Sequence, residues 1–127
     1  MRILLLSLGG AAGTNARYWI GRWFALQPWA EHFPWGTVVI NVTGSALLGV
    51  SYILLSERLP PHYWQWYLLI GTGFCGGYTT FSTFELETLN LVRLGHWGLA
   101  LANVLASVLA GFAAVALAVY LTQRLQP

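Results

Sequence analysis

Charge is what this chain has least of. Lysine and aspartate are absent altogether; six arginines and four glutamates are the whole charged complement, 8% of 127 residues, where a soluble domain carries about 25%. Hydrophobic residues make up 57%, and so few charges leave a fold of this size without a polar coat. The solvent that resolves the conflict is itself apolar, the bilayer. The same scarcity excludes a nucleic-acid footprint, which needs a clustered basic face; the pI near 9.0 reflects few acids, not a basic patch. A single cysteine, Cys75, excludes an intrachain disulfide.

The basic, apolar start Met1-Arg2-Ile3-Leu4-Leu5-Leu6-Ser7-Leu8 has the outline of a secretory signal, but its apolar run continues past Arg17 to Leu26 instead of ending at a small-residue cleavage site. The expectation is a retained first span. A helix needs about 20 mostly apolar residues to cross the hydrocarbon core, and four segments qualify: residues 2–26, 35–55, 63–92 and 97–121. The connectors are short and carry Pro28 and Pro34, Pro60 and Pro61, and Gly95, so consecutive helices are expected to run antiparallel. The seven tryptophans fall mostly near span ends, where amphipathic rings settle among headgroups. The fold class is an all-α membrane protein, one domain of four transmembrane helices.

Arginine placement normally fixes orientation. Here Arg2, Arg58 and Arg124 gather on the side of the termini, and Arg22 and Arg93, with Arg17 nearby, on the other. The sides are nearly balanced. Either another cue decides, or the protein inserts both ways and pairs head to tail.

Polar groups at membrane depth are costly and ask for a reason. Arg17 shares a stripe with Gly10, Gly13 and Gly21; it either snorkels to the interface or draws anions to a pore mouth. Asn41 shares a face with Thr37 and Ser45, and its amide either bonds a neighbouring helix or offers an anion N–H donors without net charge. The third span is the most informative. Gly76-Gly77-Tyr78-Thr79-Thr80 is a poor continuous helix, since glycine costs about 1 kcal/mol relative to alanine. A break there frees backbone groups that are tolerated only inside protein or facing water or an ion, and freed carbonyls suit a cation. Phe81 and Phe84 follow at i, i+3, as core packing or as ring edges turned to an anion. Thr80, Thr83 and Glu87 form an adjacent polar stripe, whereas Glu85 lies on another face. In the fourth span Asn103, Ser107, Gly111 and Ala114 make a small-residue stripe, for packing or as a polar track.

Three strings taken together resemble the Fluc (CrcB) fluoride-channel family: Gly9-Gly10 through Gly13 to Arg17-Tyr18; Gly36-Thr37 to Asn41, Gly44-Ser45 and Gly49; and Gly73-Phe74-Cys75-Gly76-Gly77-Tyr78-Thr79-Thr80-Phe81-Ser82-Thr83-Phe84 with Glu87. The likeness spans the chain and is loosest in the fourth span. It implies a passive, fluoride-selective channel of the inner (plasma) membrane, multi-pass, not an enzyme, that exports fluoride and relieves its toxicity. It also implies a dual-topology antiparallel homodimer with two pores and one structural sodium ion on the dimer axis, held by the carbonyls of Gly76 and Thr79 of both chains. Phe81 and Phe84 would be the pore phenylalanines, Asn41 the pore amide, and Thr80, Thr83, Glu87 and Ser107 the polar side, with Arg17 shaping a vestibule. The partners implied are fluoride, lipid and a second copy.

The main rival is a small four-span drug exporter, also dual-topology. It needs a deep carboxylate in the first span, which holds Arg17 and no acid. An intramembrane hydrolase needs a base within the bilayer, and His32, His62 and His96 all fall in connectors. A purely structural subunit leaves Asn41, Gly76-Gly77 and Thr79-Thr80 unexplained.

Overall fold

A backbone removed from water must bond to itself, and an apolar run of this length does so as a helix. The computed structural model of the chain describes residues 1–125, and helices account for nearly all of them. We label the helices α1 (Arg2–Ala25), α2 (Trp35–Arg58), α3 (64–78), α4 (Phe81–Arg93) and α5 (Trp97–Arg124). Helices α2 and α5 are long and apolar enough to cross a membrane. At 24 residues, α1 reaches about 36 Å, and α3 with α4 occupies the third expected span. Helices α2 and α5 run on to Arg58 and Arg124, past the expected ends at 55 and 121. An arginine in the last turn faces the negative end of the helix dipole, and hydropathy does not register that gain. Three stretches widen to i→i+5 pairing: Tyr52–Arg58, Leu68–Cys75 and Ala106–Ala110.

The connectors follow from their breakers. Pro28 and Pro61 each open a short 3-10 turn, where a missing N–H costs nothing. Gly95, at φ +80°, ends α4: His96 N–H donates to Leu91 O at 2.9 Å and Gly95 N–H to Val92 O at 2.9 Å, the paired bonds of a Schellman close that requires a left-handed residue.

Glycines set the tightest contacts. Helix α1 lies on α3 so closely that a Cβ at Gly9 would stand 2.9 Å from Phe74 N, and one at Gly13 would stand 2.8 Å from Tyr78 N. From the other side, a Cβ at Gly77 would stand 3.1 Å from Gly10 Cα. Helix α2 meets α5 in the same manner, with Gly49 under Val115 and Ala118. These are the small-residue approaches that replace hydrophobic driving force in a bilayer. Much of the exterior, by contrast, is apolar, with Leu4, Trp19, Leu101, Leu109, Phe112 and Leu117 all exposed. A girdle of that kind marks a surface meant for lipid or protein, not water.

Candidate functional site

The third span breaks, but not at its glycines. Gly76–Tyr78 is helical, and the chain becomes extended at Thr79 (φ −76°, ψ 157°) and Thr80 (φ −148°, ψ 115°). Gly77 instead serves the packing against α1. The break falls two residues later because a partner waits there. Thr80 N–H, which a continuous helix would give to Gly76 O, donates to Asn41 Oδ1 at 2.8 Å, and Asn41 Nδ2 donates to Thr80 O at 3.1 Å. One side-chain amide from α2 thus bonds both backbone groups of the interrupting residue, as a neighbouring strand would.

Both broken ends are finished. On the α3 side, Thr79 N–H and Oγ1 donate to Cys75 O at 3.0 and 2.8 Å. Arg17 reaches over from α1, its Nη1 donating to Thr79 O at 3.5 Å. On the α4 side Thr80 is the N-cap: Thr83 N–H donates to Thr80 Oγ1 at 3.3 Å, and the Thr80 hydroxyl donates to Thr83 Oγ1 at 2.9 Å. The break therefore sets the carbonyl end of α3 beside the N–H end of α4, where partial negative and positive charges gather.

A groove of about 580 Å³ opens over this point, lined by Asn41, Ser45, Thr80, Phe81, Phe84 and Ser107 among others, with Gly76 at its edge. The two phenylalanine rings lie 5.6 Å apart at 44°. They differ sharply in exposure, Phe81 at 69% and Phe84 at 7%, so one ring belongs to the core and the other projects outward. Gly76 is exposed, and a Cβ added there would meet nothing within 4 Å.

Not every expected residue joins the groove. Glu87 lies on another side of α4 and lines a second cavity of about 430 Å³ with Thr37, Asn90 and the α1–α2 connector. There Thr37 Oγ1 donates to Glu87 Oε1 at 2.9 Å, while Glu87 Oε2 is buried without a partner among the described residues. The α2 face expected to carry Thr37 and Asn41 together is thus divided between two sites. Thr83 is exposed and lines neither cavity. Arg17 touches the break without lining the groove. Thr43, Tyr78 and Thr88, given no site role from the sequence, also engage. Tyr78 OH pairs with Thr43 Oγ1 at 3.0 Å, and Thr88 receives Asn103 Nδ2 at 2.9 Å. Neither pair has a local signature, since the partners are 35 and 15 residues apart.

Glycine-packed apolar helices with an interrupted helix held open by a side-chain amide define a helical membrane protein. The profile of the CrcB-like protein, Camphor Resistance (CrcB) family matches residues 4–119, and the chain belongs to that family. Its relatives include proteins named fluoride-specific ion channel FluC. The one from Solibacter usitatus is 48% identical over 125 residues, 98% of this chain and 100% of the relative. The one from Koribacter versatilis is 45% identical over 114 residues, 88% and 87%, and that from Coxiella burnetii (strain CbuK_Q154) is 45% identical over 108 residues, 85% and 86%.

Proposed function

We propose that this chain is a fluoride channel of the cell's inner membrane, crossing it four times and working as an antiparallel pair of copies that exports fluoride passively. The observation that carries the reading is the interruption at Thr79-Thr80, held by Asn41 and opening beside Phe81 and Phe84. Fluoride is small and tightly hydrated, so a path for it must replace water with N–H and O–H donors while holding the ion loosely enough to release it. Asn41 has a second amide hydrogen beyond the one on Thr80, and the N-terminus of α4 presents backbone donors at the same level. Ring edges at Phe81 and Phe84 add weak positive potential without a fixed charge.

A single chain leaves the groove open on one side. A second, inverted copy would close it, and three features support that arrangement: the near-balanced arginines, the outward Phe81 and the uncovered Gly76. Each pore would then take its polar residues and its phenylalanines from both copies. Glu87 and Thr83, which lie off the groove within one chain, would reach a pore only in such a pair.

The residues at the break fit the implied sodium ion. Gly76 O has lost its helical donor to Asn41, and Gly76 carries no side chain to obstruct an approach. Among the described residues Thr79 O accepts a long contact, from Arg17 Nη1 at 3.5 Å. The carbonyls of Gly76 and Thr79 from both copies would hold the ion, whose charge would offset the carbonyl dipoles and tie the copies together.

The test is flux. Liposomes carrying the purified chain are loaded with potassium fluoride, and efflux is started with a potassium ionophore. Rapid loss of fluoride with chloride retained is the expected result. No flux, or flux that requires a proton gradient, defeats the reading and favours the exporter.

A further inference from the structure

Glu85 lines neither cavity, yet it follows Phe81 by one turn of α4 and is exposed with it. It lies five residues past Thr80, about 8 Å from the break along the helix axis and well inside the span. A carboxyl turned to lipid at that depth is costly. Thr72 on α3 is its counterpart. Between Ile70 and Thr80 the exposed residues are Thr72 and Gly76, four positions apart and so on one face, and both line the groove. The hydroxyls of Thr79, Thr80 and Thr88 are bonded within the chain, whereas among the described residues no such bond holds the Thr72 hydroxyl or the Glu85 carboxyl.

The two residues stand on opposite sides of the break. Thr72 precedes Thr79 by seven residues, about 10 Å toward the side of the termini, and Glu85 lies about 8 Å toward the other side. Turning a second copy over at the level of the break exchanges the sides. It brings Glu85 of one copy to within about 3 Å of the level of Thr72 of the other. The same inversion offers the outward Phe81 of one copy to the open groove of the other, whose wall includes Thr72, and Glu85 follows Phe81 along the same stripe. In a parallel pair the two residues stay about 20 Å apart in depth.

We infer that Glu85 of each copy accepts a hydrogen bond from the Thr72 hydroxyl of the other, and that this contact selects the antiparallel pair over the parallel one. The inference rests on the paired-channel reading and adds the side chains that fix its register. A polar pair inside an apolar interface serves register because a missed partner leaves a desolvated carboxyl behind.

The experiment uses the full chain in lipid bilayers, with the dimer fraction followed by single-molecule photobleaching as the protein is diluted in lipid. Thr72→Val leaves both carboxyls unbonded and is expected to raise the dissociation constant about tenfold, the worth of two interhelical hydrogen bonds. Glu85→Gln keeps an acceptor and is expected to stay within about threefold of the unmodified chain. Glu85→Leu added to Thr72→Val removes the stranded carboxyl and is expected to recover most of the loss. No weakening in Thr72→Val, or effects of the two substitutions that simply add, overturns the inference. Should these variants assemble poorly, cysteines replace the bond. In a Cys75→Ala background, chains carrying Thr72→Cys and chains carrying Glu85→Cys are produced together and oxidised. A covalent dimer with one chain of each kind is expected, and none from either chain alone, because like residues of an inverted pair lie about 15–20 Å apart in depth, beyond disulfide reach. Covalent dimers of like chains, or no mixed dimer while the copies remain associated, overturns the inference. An unmodified chain that stays monomeric and passes no fluoride defeats the paired-channel reading itself, and the inference falls with it.

Discussion

A methyl group added at Gly13 would press into the carbonyl of Phe74, and one added at Gly9 into that of Leu69. Added at Gly76, less than one helical turn beyond Phe74, it would meet nothing within 4 Å. The glycines where α1 and α3 meet and the glycine at position 76 of α3 are therefore there for opposite reasons. Toward α1, glycine lets two backbones touch, and the contact is complete within one chain. Toward the groove, glycine leaves a surface bare, and that surface has no use until something else arrives. The lesson is that a glycine in a membrane helix is read by what its missing side chain would strike. The first kind supports the fold; the second lies where the proposed second copy and cation would sit.

The comparison can be broken in order of effect. The largest expected loss is Gly13→Leu. It overpacks a backbone contact, where about 1–3 kcal/mol is common for added methylenes and more where no side chain can yield; folded protein recovered from detergent should nearly vanish. Next is Asn41→Leu, which strips both partners from Thr80. Each unsatisfied backbone group costs about 1–3 kcal/mol, so thermal unfolding should shift clearly downward and flux should be lost with it. Phe81→Ile is expected to leave stability and dimer intact, because the ring is 69% exposed in one chain, yet to suppress fluoride flux; unchanged flux counts against a pore role. The smallest effect is Thr80→Ala. It removes the α4 cap at about 1 kcal/mol but keeps the backbone bonds to Asn41, so a modest loss of thermal stability is expected with the break preserved.

Much of the fold was legible because the bilayer writes itself into composition. Four apolar runs, separated by prolines and one glycine, located the helices to within a few residues, and the misplaced ends at Arg58 and Arg124 reflect dipole and capping effects that hydropathy omits. Arg58 also donates to Thr122 O on α5, a contact that nothing near Arg58 in sequence announces. The break was legible only approximately. Weak helix propensity pointed to Gly76-Gly77, but propensity is a local quantity. The interruption sits where Asn41, 39 residues away, supplies bonds that replace the helical ones. The same limit explains Glu87. Its spacing from Thr80 and Thr83 suggested one stripe, whereas its partner Thr37 is 50 residues distant and draws it to another cavity.

The most direct test of this division compares fluoride efflux from liposomes carrying Gly76→Ala with efflux from the unmodified chain, alongside helix content of both by circular dichroism. The account predicts unchanged helicity with flux and dimer both sharply reduced, because the added methyl intrudes only where a second copy and a cation would meet. Full fluoride flux through the alanine variant would contradict it.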